Sequence, residues 1–259
     1  MKEILEQSLF DVPYNSFGKI ILSSGGEYPL SYGGNCVFQC RQITTKLISS
    51  LLDEAKIRYV TASEKPHWVI IIEDGDTYML DPFLLCPEPI NISKVLKGEK
   101  LILDAYPIGN NKIEVTMADA HNLQVKLFIK KGAGHKQVLE YTYNVDNGTS
   151  KDLPPDDYQL LANLCQKNLE MGILMNQDNR GEVIRLYRVP GQGNLDIRVI
   201  GGQHFSNTKN PSGFEQQKSR IISRLNTTEE EFDKTWTLGE RLYLERQLDI
   251  CRLREKKGA

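Results

Sequence analysis

His67-Trp68-Val69-Ile70-Ile71-Ile72-Glu73-Asp74-Gly75-Asp76-Thr77-Tyr78-Met79-Leu80-Asp81 is the stretch on which the fold turns. Two β-prone runs are joined by a short acidic segment that contains a glycine, which is the signature of an antiparallel hairpin. If Glu73-Asp74-Gly75 forms a three-residue loop closed by glycine in the left-handed region, Ile72 pairs with Asp76 and His67 lies directly opposite Asp81. A two-residue Asp74-Gly75 loop would slide the register by one and put those two side chains on opposite faces. The residues alone leave both registers open.

Upstream, Val37, Cys40, Ile43, Leu47, Ile48, Leu51 and Leu52 recur at three- and four-residue spacings, which predicts a helix from about Asn35 to Ala55. Tyr32-Gly33-Gly34-Asn35 is loop material before it, with Asn35 suited to cap the first turn, so Cys36 stands at the helix N-terminus. Downstream, Leu101 to Tyr106, Lys112 to Met117, Leu123 to Lys130 and Val138 to Val145 alternate like strands, with glycine-rich turns between them. They predict a small antiparallel barrel or sandwich. A helix is expected from Pro154-Pro155 to about Met171, then strands over 182–189 and 195–200. Lys218 to Leu225 and Thr228 to Lys257 read as helices, the second opening on the cap-like Thr227-Thr228-Glu229-Glu230-Glu231. The class is α+β.

The 259 residues, 40% of them hydrophobic, can furnish a sizeable core. Lys+Arg number 32 against Asp+Glu 34, a net charge of -2, which argues against nucleic acid as a partner. No apolar stretch is long enough for a membrane span, and Met1-Lys2-Glu3-Ile4-Leu5-Glu6-Gln7 lacks the apolar core of a secretory signal, so a cytoplasmic protein is expected. Five cysteines without a CxxC pair and four scattered histidines suggest neither a disulfide framework nor a metal site. His121, His135 and His204 read as surface-loop residues, and Cys86, Cys165 and Cys251 as packing residues. With no phosphate-binding loop, dinucleotide fingerprint or GxSxG elbow, any chemistry would run on a thiol.

Such chemistry needs a lowered thiol pKa, a base within reach and a group that orients the base. Cys36, His67 and Asp81 can supply all three. Helix-terminal amides favour the thiolate and can face a developing oxyanion, for which Gly34 and Val37 are the candidate positions, while Gly33 and Gly34 leave room for an acyl group. The same residues have a plain structural reading: Cys36 as a small core residue, His67 bonded to backbone at a strand end, Asp81 as the acceptor of an Asp-Pro corner. Cys40, one turn after Cys36, reads as core or as a resolving thiol.

Tyr32-Gly33-Gly34-Asn35-Cys36-Val37-Phe38-Gln39 resembles the arginine-glycine-glycine-x-cysteine segment of the arylamine N-acetyltransferases. His67-Trp68-Val69-Ile70-Ile71-Ile72 and Tyr78-Met79-Leu80-Asp81-Pro82-Phe83 are similar to the family's later histidine and aspartate segments, and Leu139 to Val145 resembles the end of its barrel. The resemblance implies a helical region with the catalytic cysteine over 1–88, a central antiparallel β-barrel with its following helix over 89–190, and a mixed α/β lid over 191–259. It also implies a Cys36-His67-Asp81 triad, with Phe38 and Phe83 at the substrate pocket. Tyr32 in place of arginine, and Pro82-Phe83-Leu84-Leu85 in place of valine-glycine-phenylalanine-glycine, point to a divergent member with another acyl donor or acceptor. The implied activity is transfer of an acyl group from a thioester to an amine or hydroxyl acceptor. Coenzyme A or a phosphopantetheinyl carrier protein would be the co-substrate, with no permanently bound cofactor and no metal. Papain- and transglutaminase-like hydrolases or amidases use the same residue types, and Asp81-Pro82 is similar to some of those sequences. A non-catalytic relic of the fold is the third possibility.

Overall fold

The computed structural model describes residues 1–16, 18, 21, 26–50, 52–63, 67–146, 149–152, 172–176, 182–188, 195–200 and 202–258. Contacts divide the chain into two units. One is built chiefly from Met1–Val12 and Cys36–Asp156, the other chiefly from Pro13–Asn35 and Val183–Ala259.

In the first unit the helix Cys36–Ser49 packs on the strand Trp68–Asp74, as the apolar periodicity predicts. That strand is central in a five-stranded antiparallel sheet of order Thr149–Ser150, Ile57–Thr61, Trp68–Asp74, Asp76–Leu80, Ile90–Asn91. Its uninterrupted apolar run is explained by burial on both faces. Val69 and Ile71 join a core shared with the neighbouring sheet, while Ile70 and Ile72, fully buried, alternate to the other side. The helix stops at Ser49, short of Ala55, where the backbone closes on itself: the Ser50 amide is shared between the Lys46 and Leu47 carbonyls, and the Leu52 amide donates back to Leu47 at 3.2 Å. Asp53 then accepts from the Ala55 amide and opens a short 3-10 turn, Glu54–Lys56. This turn leads into the strand Ile57–Thr61, which the sequence reading had assigned no structure.

Leu101–Ala105, Asn111–Met117, Asn122–Lys131 and Gly134–Asn144 form a four-stranded meander, close to the expected strands. The expected central barrel is not formed: no closed barrel exists among the described residues. Four strands span too little arc to meet, and their apolar face is covered by the five-stranded sheet instead. Val60, Val69, Ile71 and Met79 of one sheet share a core with Ile113, Val115, Leu123, Val125, Tyr141 and Tyr143 of the other.

The second unit carries another five-stranded antiparallel sheet, Tyr14–Asn15, Gly172–Asn176, Val183–Arg188, Leu195–Val199, His204–Ser206, with helices Pro211–Arg224 and Glu229–Gly258. Strands 172–176 and 204–206 were not expected, and the helix predicted over 154–171 lies outside the described residues. His204 stands on an edge strand and bonds Asp196 at 2.7 Å, where a loop was expected. Asn210 caps Pro211–Arg224 through the Gly213 amide, so that helix begins seven residues before the apolar pattern shows it. The predicted cap of the last helix is a reciprocal capping box: Thr228 Oγ1 accepts from the Glu231 amide, and the Thr228 amide donates to the Glu231 carboxylate. Among the described residues no helix is long and apolar enough to cross a membrane.

Two glycines with nearly equal backbone angles separate conformational from steric demand. Gly33 and Gly75 both have φ of 74°, but a Cβ on Gly75 would meet nothing within 4 Å, whereas on Gly33 it would lie 1.8 Å from the Pro13 carbonyl oxygen. Gly75→Ala should therefore cost about 1–2 kcal/mol, the left-handed penalty alone, and Gly33→Ala clearly more. Urea denaturation of the two variants checks this; equal losses would contradict it.

Candidate active site

The site is assembled at one end of the sheet by the hairpin. Asp74 pairs with Asp76 across Gly75, and Ile70 with Leu80, so neither expected register is adopted. Relative to the three-residue-loop register the pairing is displaced by two residues, and His67 lies diagonal to Asp81 instead of opposite it. A two-residue displacement conserves the face, and a diagonal pair remains within reach of long side chains. His67 Nε2 lies 3.0 and 2.9 Å from the two Asp81 carboxylate oxygens. Both side chains are buried, at 4% and 1% exposure.

Backbone hydrogen bonds fix His67 just before its strand. Its carbonyl accepts from the Ala62 amide at 2.9 Å, and the Ser63 amide donates to the Thr142 carbonyl at 2.8 Å. Ala62 also pairs with Tyr143. The end of one sheet is thereby stitched to the last strand of the other, which delivers two residues that sequence reasoning did not assign to the site. Tyr141 stacks on the imidazole at 4.5 Å between centroids, and the Tyr143 hydroxyl donates to Asp81 Oδ2 at 3.3 Å. Their spacing of two on a strand was the available signal, since it puts both on one face. Phe83 meets the imidazole edge-on at 5.3 Å. Its amide donates to Asp81 Oδ1 at 3.1 Å, with the Leu84 amide at 3.4 Å, so Asp81 is also the corner acceptor of the structural reading. The two readings of Asp81 coexist.

Cys36 is the first residue of its helix, and the His67 side chain is the neighbour that acts most strongly on its thiol. With Nε2 facing Asp81, Nδ1 is the ring nitrogen left for the thiol. Burial pushes the Cys36 thiol up, but the hydrogen bond and positive charge of His67 outweigh it and leave the thiol below its ordinary value. Burial pushes the His67 imidazole down; the charge and hydrogen bonds of Asp81, with a further contribution from Cys36, carry it up to about 10. Cys40 donates to the Trp68 carbonyl at 3.4 Å and, deeply buried, is pushed well above the ordinary thiol range. Burial likewise pushes Cys86 up to about 12.

The structure separates the candidate oxyanion positions. The Gly34 amide donates to the Pro13 carbonyl at 3.1 Å and the Gly34 carbonyl accepts from Asn15, so that amide is committed to the fold. Gly33 is needed for its close approach to Pro13. Val37, in the first helical turn, belongs to the group of amides that have no acceptor within a helix. Phe38 is half-buried beside it. Tyr32 is a core residue of the second unit, 1% exposed and bonded to Thr227 at 2.9 Å. Among the described residues no group of three or more histidines, cysteines and carboxylates is placed to hold a metal ion.

No family model, curated protein or solved structure matches this chain. The geometry of the site therefore carries the functional reading alone.

Two outcomes follow from these charges. Iodoacetamide near neutral pH should alkylate Cys36 well before Cys40 or Cys86, as resolved by peptide mass mapping; equal labelling of the three would contradict the lowered thiol. A group whose folded pKa is raised stabilises the fold below its unfolded value of about 6.5, and that contribution is lost as pH climbs through about 10. In a Cys36→Ala background, where no thiol titration offsets it and the upper limit lies below about 10 because the Cys36 contribution is gone, the melting temperature should fall as pH rises above about 6.5 more steeply than in Cys36→Ala/His67→Gln.

Proposed function

We propose that this protein is an acyltransferase that works through an acyl-cysteine. The observation that carries the reading is the buried His67-Asp81 pair, hydrogen-bonded at 2.9 Å, beside a buried Cys36 that starts a helix and whose thiol His67 pulls below its ordinary value. Asp81 holds the ring and its positive charge, His67 holds the thiolate, and the thiolate attacks a thioester carbonyl. In this reading the Val37 amide, in the first turn of the helix, is the donor to the developing oxyanion. Collapse of the tetrahedral intermediate breaks the donor's carbon–sulfur bond, and the leaving thiolate takes the proton from His67. Neutral His67 then accepts a proton from an incoming amine or hydroxyl, which attacks the acyl-cysteine and frees the thiol. A thioester of coenzyme A or of a phosphopantetheinyl carrier protein is the donor class, with a small amine or alcohol as acceptor.

Intact-mass measurement after exposure to acetyl and longer acyl thioesters tests this. The wild-type protein should gain one acyl mass and Cys36→Ala none. Asp81→Asn should fold but acylate roughly a thousandfold or more slowly, because the ring is then held in the wrong tautomer. An Asp81→Asn protein that melts early yet acylates at the full rate would restrict Asp81 to its corner role and refute the triad.

A further inference from the structure

The strand that carries Tyr141 and Tyr143 ends, at its other extremity, in a basic tip. Between Asp119 and Glu140 the chain has four lysines and two histidines and no carboxylate, although its net charge is -2. Asn122–Lys131 and Gly134–Asn144 stay paired to the last residue, with Lys130 opposite His135, Ile129 opposite Lys136 and Lys131 opposite Gly134. Cross-strand partners share a face, so Lys130 and His135 stand on one side of the ribbon and Lys131 and Lys136 on the other. All residues from 130 to 138 are exposed. Among the described residues none of Lys126, Lys130, Lys131 and Lys136 forms an ion pair, whereas Lys100 and Lys56 elsewhere in this unit do.

Two apolar residues accompany the charges. A register shift after Leu127 leaves Val138 out of the pairing and 47% exposed. Ile108, 48% exposed, stands two residues from Asn110, whose carbonyl accepts the Lys130 amide at 2.7 Å. Exposed cations on both faces of the tip, with exposed apolar side chains nearby, leave it free to meet a partner of opposite charge from either side. A projecting ribbon encloses no small molecule, and four lysines on a chain without basic excess are a poor match to a phosphate backbone. An acidic protein surface is the complementary partner.

We propose that this hairpin tip docks an acidic carrier protein, which presents its acyl group to Cys36 on a phosphopantetheinyl arm. The proposal rests on the acyltransferase reading and selects the carrier over coenzyme A as donor. The reach fits. From Tyr141, stacked on His67, to His135 the strand runs about 20 Å, a span that an extended phosphopantetheinyl arm covers. At Cys36 the step forms one carbon–sulfur bond and breaks another: the acyl carbon passes to Cys36 Sγ, and the arm's sulfur leaves with the proton from His67.

The test compares two donors, an acidic acyl carrier protein loaded with an acetyl group and free acetyl-pantetheine. In the full chain, Lys130→Glu/Lys131→Glu/Lys136→Glu should lower the rate of Cys36 acylation by the loaded carrier about tenfold or more. It should leave the melting temperature and the rate with acetyl-pantetheine unchanged. Added salt should slow the wild-type reaction with the carrier but not with the small donor. Equal losses with both donors, or no loss with the carrier, would overturn the docking surface while leaving the triad intact. If neither donor acylates wild-type Cys36, the acyltransferase reading fails, and fluorescence anisotropy of a labelled carrier decides the surface separately. Salt-sensitive binding that the triple variant loses supports the surface, and absence of binding overturns it. Lysine-dependent binding to anionic vesicles or duplex DNA, with none to the carrier, would overturn it as well.

Discussion

A carboxylate taken out of water must recover its lost hydrogen bonds from the protein, and Asp81 recovers them from every direction. Two backbone amides of its own corner, the imidazole of His67 and the hydroxyl of Tyr143 all reach it. These donors come from the turn after one strand, the start of the preceding strand and the last strand of another sheet. Their convergence fixes how the two sheets of the first unit meet, and it is the condition on which a charged imidazole can exist in that interior.

That charge in turn determines what the cysteine is. Three described thiols share similar burial, yet they differ in character. Cys40 and Cys86 follow the ordinary rule that burial favours the neutral thiol, and they behave as small apolar residues. Cys36 departs from it because its neighbour is a cation held in place by Asp81. The two groups are coupled, each favouring the ionised form of the other. A buried charged pair of this kind is a poor way to gain stability.

Much of the first unit was legible because its signals are local. Apolar spacing gave the helix from Cys36, alternation gave the four strands after Leu101, and the glycine between acidic residues gave the hairpin. The register was misjudged by two residues without harm to the site, since side-chain direction repeats every second residue. Where signals compete over distance the reading failed. Backbone bonds back to Leu47 closed the helix early and a strand followed it, and two open sheets sharing one core took the place of a barrel. In the second unit short strands such as His204–Ser206 carry too few residues to show a period.

The sequence by itself determined which residues could react: a cysteine behind two glycines at a helix start, a histidine before an apolar strand, and an aspartate after its partner strand. These are properties of segments, and segments fold by neighbouring backbone and side-chain rules. Tertiary structure decided whether the three meet, which way burial and neighbours push Cys36 and His67, and which supports surround them. It bound the Gly34 amide to Pro13 and left Val37 in the first helical turn, stacked Tyr141 on His67, and gave Tyr143 to Asp81. The physical reason is that charge in a protein interior depends on burial and on the distance to other charges, and both are set by residues far apart in the chain.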